Sequence, residues 1–143
     1  LKCFTLKQTG EGIVSAVLQM LISHVTGAEL VRAAILRALK KSAGSYLPPL
    51  LEALAERYGF SYRKVKITGA RSRWGSCSAA GTISLSCYLM LLPPHLMDYV
   101  LLHELSHTKE MNHGPRFWEL LDSLTEGKAL SLRAELRNYR PAF

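Results

Sequence analysis

A chain of 143 residues, 48% hydrophobic, is long enough to bury one core without covalent staples. Its cysteines, Cys3, Cys77 and Cys87, are odd in number and show no C-x-x-C spacing, which excludes a disulfide framework and favours a reducing compartment, hence a cytoplasmic location. The formal charge of +7 leaves an anionic partner open, whereas the most apolar early stretch, Ile13 to Val25, is too short and too interrupted by Ser15, Gln19, Ser23 and His24 to span a membrane. That stretch also lacks a signal-peptide cleavage pattern. Because the chain starts at Leu1 rather than Met, the expectation is a single domain over 1–143 cut from a longer chain.

Residues 2–8 alternate loosely and end at Thr9-Gly10-Glu11-Gly12, which predicts a strand and a turn. From Ala28 to Lys41, Leu30, Val31, Ala34, Ile35, Ala38 and Leu39 recur at helical spacing, opposite Arg32, Arg37, Lys40 and Lys41. This is an amphipathic helix whose apolar residues are expected in the core. Ser45-Tyr46-Leu47-Pro48-Pro49 is expected to break or kink it before a second helix that runs to Tyr58 and ends at Gly59. Phe60 to Thr68 alternates as a half-exposed strand. Residues 71–78 are then expected to pair with Thr82 to Cys87 as a hairpin through Ala79-Ala80-Gly81. Arg63, Lys64, Lys66, Arg71 and Arg73 form a basic run before Trp74, readable either as an anion site or as an ordinary solvated strand face.

Pro93-Pro94 opens a helix that is apolar nearly all round, through Leu96, Met97, Tyr99, Val100, Leu101, Leu102 and Leu105, as buried helices are. His103, Glu104 and His107 are set into it, and His113 follows. Residues four apart lie about 40° apart around a helix, so His103 and His107 can hold one ion together. Glu104, the next residue round, can reach a water on that ion as general base. In an unbroken helix His113 would stand about 240° from His107. The chain is therefore expected to turn back after Met111, with Asn112 in a left-handed helix end and Gly114-Pro115 opening the next helix. Three imidazoles leave a fourth position open, the mark of catalytic zinc. A chance His-Glu-x-x-His would leave polar groups buried without a partner, at a cost that a metal removes. His24 and His95 lie outside the cluster and read as ordinary histidines. Short helices over Pro115 to Leu124 and Leu130 to Arg137 complete the chain.

Arg73-Trp74-Gly75-Ser76-Cys77-Ser78, Gly81-Thr82-Ile83-Ser84-Leu85, Leu92-Pro93-Pro94, Asp98-Tyr99-Val100, the histidine cluster and Asn112-His113-Gly114 with Phe117-Trp118 together resemble the YgjP-like metallopeptidase domain family. That family is related to the SprT-like and WLM zinc peptidases. The resemblance covers about Ala28 to Trp118, and residues 1–27 match nothing recognisable. It implies an α+β, zincin-like domain: a small antiparallel sheet packed on a metal-binding helix with further helices, its core at 28–124. It also implies one Zn2+ per chain on His103, His107 and His113, with Glu104 as general base. The substrate would be a peptide or protein, added as a strand to the edge formed by Thr82, Ile83, Ser84, Leu85 and Ser86.

Arg73, Tyr88, Tyr99 and Arg116 are candidates to stabilise the transition state or touch substrate, each equally readable as scaffold. Trp74, Phe117 and Trp118 read as packing residues. Glu119 or a backbone carbonyl is expected to orient the imidazoles. Glu110 stands where metzincins need glycine, which excludes that group, and Ser86 stands where relatives often carry asparagine. Two other functions fit the residues. A metal-dependent nucleotide or phosphate-anhydride hydrolase of pyrophosphatase type would bind phosphates at Arg71 and Arg73; a DNA-associated, SprT-like protease module would bind nucleic acid through the basic run 63–73. No membrane partner is expected, and nothing fixes the oligomeric state.

Overall fold

Ala43, Leu47, Leu51 and Ala55 recur every fourth residue, and all four are buried. A helix with such a stripe stays helical because burying each leucine contributes roughly 1.5–3 kcal/mol. In the computed structural model, which describes residues 2–140 and the side chains of 15–24 and 26–140, this stripe belongs to α1 (Lys2–Tyr58). Residues 2–12 are therefore helical and not the expected strand and turn. Pro48 and Pro49 lie inside the same helix instead of dividing it. The proline rings remove two backbone donors, but the core contacts of Leu47 and Leu51 on either side hold the helical path. Gly59, at φ 72°, ends it, with the Phe60 amide donating to the Ala55 carbonyl at 2.8 Å.

The chain divides into two units, residues 1–35 and 36–143. The first is helix alone among its described residues, and Leu30 and Val31 are exposed in it rather than in a core. A lone helix has no second layer against which to bury such side chains. The buried face of α1 begins with Leu36 and Leu39, which pack on the core of the second unit.

That second unit holds β1 (Lys64–Thr68), β2 (Gly75–Cys77), β3 (Thr82–Ser86), a 3₁₀ helix at Cys87–Leu91, and then α2 (Pro94–Ser106), α3 (Pro115–Leu124) and α4 (Ala129–Leu136). The fold is α+β, and its three-stranded sheet is mixed rather than antiparallel. β2 and β3 form the expected hairpin, with Gly75 opposite Leu85 and Cys77 opposite Ile83. β1, however, lies parallel to β3, with Lys64 opposite Thr82 and Thr68 opposite Ser86. The order is β1-β3-β2, so Thr82–Ser86 is the central strand and not the expected substrate edge. Its backbone donors and acceptors are taken on both sides.

Parallel pairing needs a crossover, and residues 69–74 make it, passing from one edge of the sheet to the other. Arg71 and Arg73 are thus on a loop and not on a strand. Ser86 pins this loop: its hydroxyl donates to the Ala70 carbonyl at 2.6 Å, and its amide donates to the Trp74 carbonyl at 2.9 Å. The same hydroxyl accepts from the Tyr88 amide and caps the 3₁₀ helix. Cys77 and Cys87 are free thiols. Among the described residues no helix is long and apolar enough to cross a membrane.

Candidate metal centre

α2 starts at Pro94, which lacks a backbone donor that a first helical turn could not use. Leu96, Leu101 and Leu105 are fully buried along it, which brings its last turn, with His103 and Glu104, under the sheet. The helix stops at Ser106 with His107 as its cap, earlier than the turn expected after Met111. The reversal therefore occupies 108–114. Thr108 donates its amide to Leu105 and Glu110 donates to Ser106, so tight turns replace the helical ladder. Asn112 takes no left-handed conformation; Glu126 is the one non-glycine residue with positive φ among the described residues. Gly114 is extended and caps α3, with Pro115 as its first residue.

This return brings His113 back to α2. The Nε2 atoms of His103 and His113 are 3.2 Å apart, and one nitrogen from each of His103, His107 and His113 lies within 4.8 Å of the others. Nitrogens sharing a tetrahedral zinc stand about 3.3 Å apart, so the donor set fits such an ion. The Nδ1–H of His107 donates to the Glu110 carbonyl at 3.1 Å. A carbonyl can only accept, so this bond fixes the tautomer and leaves Nε2 free for a ligand. For His107 the orienting group is thus a backbone carbonyl, while Glu119 is exposed on α3. The fully buried Phe117 ring underlies all three imidazoles: its centroid is 4.9 Å from His103, 4.6 Å from His107 in a stacked arrangement, and 4.8 Å from His113.

Burial sets the electrostatics. It pushes the His103 imidazole down to about 3, with the neighbouring His107 and His113 acting in the same direction, so His103 keeps a free lone pair. Burial also raises the Glu104 carboxyl to about 7. Glu104 is 5% exposed, and its Oε2 has no hydrogen-bond partner among the described residues. Gly75 packs against that carboxyl so closely that a β-carbon there would crowd it by a few tenths of an ångström. The Tyr99 hydroxyl is likewise buried without a partner, and burial pushes it up to about 12. Its ring meets that of His103 edge-on at 6.0 Å.

These groups face a cleft of roughly 790 Å³ between the crossover loop, α2 and α4. Of the candidates read from the sequence, Arg71, Arg73 and Tyr99 line it with His103 and Glu104. Tyr88 does not, being buried in the 3₁₀ helix, and neither does Arg116, exposed on α3. The basic run is divided: Arg63, Lys64 and Lys66 stand outside the cleft that Arg71 and Arg73 enter. Arg133, Arg137 and Arg140 join the cleft from the other wall. Arg133 stands on α4, Arg137 caps it and Arg140 follows it, so only the four-residue spacing of the first two was a readable helical signal.

A small sheet laid over a helix that carries two histidines and a buried carboxyl, with a third histidine returned to them beside an open cleft, defines a protein of the metallopeptidase class. The YgjP-like, metallopeptidase domain model matches residues 7–139, and the chain belongs to that family. Its fold is similar to the crystal structure of the metallopeptidase zymogen of Pyrococcus abyssi abylysin, at 26% identity and a TM-score of 0.57, over 64% of this chain and 91% of that one. It is also similar to the metallopeptidase zymogen of Methanocaldococcus jannaschii jannalysin, at 20% identity and a TM-score of 0.55, over 64% and 93% of the two chains. No curated protein matches the chain.

Proposed function

We propose that this protein is a zincin-like, zinc-dependent peptidase in which His103, His107 and His113 hold the ion and Glu104 is the general base. The observation that carries this reading is the juxtaposition of three convergent imidazole nitrogens with a buried, unpartnered carboxyl one residue along the same helix. A zinc ion held there supplies Lewis-acid polarisation of the scissile carbonyl and acidifies water. Glu104 takes the proton from the attacking water and hands it to the amide nitrogen as the C–N bond breaks. Buried and without another partner among the described residues, that carboxyl is free to make both transfers. Tyr99, protonated up to about 12, keeps an O–H to offer the developing oxyanion, and Arg73 offers a second donor from the facing wall. The extended substrate pairs with the outer edge of β2, the strand whose Gly75 touches Glu104.

The test is metal analysis of the purified protein together with a screen of peptides and nucleoside triphosphates, with Glu104→Gln as control. Near-stoichiometric zinc, with peptide cleavage lost in Glu104→Gln, is the expected result. Substoichiometric zinc, or a Glu104→Gln variant as active as the native chain, overturns the reading. Turnover of nucleoside triphosphates alone transfers the site to phosphate-anhydride hydrolysis, with Arg71 and Arg73 on the phosphates.

A further inference from the structure

Five arginines line the cleft that holds His103 and Glu104: Arg71 and Arg73 on one wall, and Arg133, Arg137 and Arg140 on the other. Glu104, the sole carboxylate among the residues lining it, is buried. The five arginines are exposed, and no ion pair engages any of them among the described residues; the pairs present join His95 to Glu135 and Lys128 to Glu126. Guanidinium groups stay charged at any physiological pH and present paired donors that match a carboxylate. Gathered around one cleft with no counterion among the described residues, they create a positive potential that an anionic ligand relieves. Arg133 is also held in place, its guanidinium 5.4 Å from the centre of the Trp118 ring. Trp118 in turn meets Phe117, the ring beneath the three histidines, edge-on at 5.2 Å. One cationic group is therefore fixed relative to the metal site by a continuous row of rings.

We propose that this cleft selects peptides that carry carboxylates beside the bond to be cleaved, as acidic side chains or as the terminal carboxylate of the chain. The proposal rests on the peptidase reading of the same site. Peptide recognition uses both sides at once: β2 holds the backbone, and the arginines of the crossover loop and of α4 with the segment after it hold the acidic groups.

The test uses the zinc-loaded full chain and fluorogenic peptides identical except at the residues flanking the cleaved bond, which are glutamate, alanine or lysine. Each peptide is made as the C-terminal amide and as the free acid. The expected result is a kcat/KM for the glutamate amide about tenfold or more above the alanine amide, carried by KM and shrinking as salt rises. Arg133→Ala with Arg137→Ala should bring that ratio towards unity, while Arg63→Ala with Lys66→Ala, outside the cleft, should leave it standing. Preference for the free acid over the amide of the alanine peptide also supports the proposal and assigns the arginines to a terminal carboxylate. If the arginine variants do not fold, the salt dependence of the native chain decides. Equal turnover of the glutamate, alanine and lysine peptides overturns the proposal and leaves the peptidase reading intact. Cleavage of no peptide, or turnover of nucleoside triphosphates alone, overturns both.

Discussion

A β-carbon on Gly75 would lie 3.0 Å from Cγ and 3.2 Å from Oε1 of Glu104, with the Ser84 carbonyl 3.2 Å away. The missing side chain on β2 therefore sets the position of the Glu104 carboxyl, because the Ser84 backbone cannot yield. Gly75→Ala should push the carboxyl aside by a few tenths of an ångström and lower kcat by roughly 3–10-fold, less than the 10²-fold that a misplacement of about 1 Å costs. Zinc content should stay stoichiometric, because the imidazoles are untouched. Steady-state kinetics paired with metal analysis checks this; an alanine variant with native kcat would show that the carboxyl position is immaterial.

Phe117 underlies three imidazoles at once, so its loss should affect metal affinity as well as stability. Phe117→Ala should destabilise the fold by about 3–5 kcal/mol, as large cavities do. Phe117→Leu fills most of the volume but removes the flat surface. We expect that variant to fold and to bind zinc roughly tenfold more weakly, measured by competition with a chromophoric chelator.

Ser86 makes three hydrogen bonds from a buried position, two of them through its hydroxyl. Ser86→Ala leaves the Ala70 carbonyl and the Tyr88 amide without their partner, for about 1–3 kcal/mol of lost stability. Because Ala70 adjoins Arg71 on the crossover loop, the variant should also show faster proteolysis within 69–74, read by limited digestion.

In the metal-free protein Glu104 keeps its proton up to about pH 7, whereas its unfolded form loses it near 4.5. The folded state therefore binds the extra proton, so the stability this group contributes is fully present below 4.5 and is lost as pH rises through 7. Glu104→Gln fixes the protonated shape. Its stability relative to the native chain should therefore climb between pH 4.5 and 7, by on the order of 1–3 kcal/mol, and level off above. Denaturant titrations in chelator at successive pH values measure it, and a flat difference would contradict the burial of the carboxyl.

The metal residues were legible because α-helical periodicity and ligand spacing are local properties: His103, Glu104 and His107 need only one turn of helix to meet. The return of His113 was legible as a necessity, but its turn was not, since Ser106 ends α2 before any glycine or proline appears. The course of the sheet was hidden for a different reason. Alternation over Phe60 to Thr68 shows which side chains face inward but carries no information on strand direction, so a parallel β1 and a central β3 could not be told from a simple meander. α1 passes Pro48 and Pro49 because Leu47 and Leu51 are gripped by residues far along the chain, a constraint that no local window contains.

β1 and β2 touch no strand except β3, which is the last of the three to be synthesised. Until residue 86 is in place neither outer strand has a partner, and an isolated strand has no stability of its own. Sheet formation is therefore a late step that waits for its last member, and the β1 pairing also needs the 69–74 loop carried across. The wall that confines Glu104 appears only at that step, so a partly folded chain with α2 formed would carry its histidines on one helix turn without the enclosure that tunes the carboxyl.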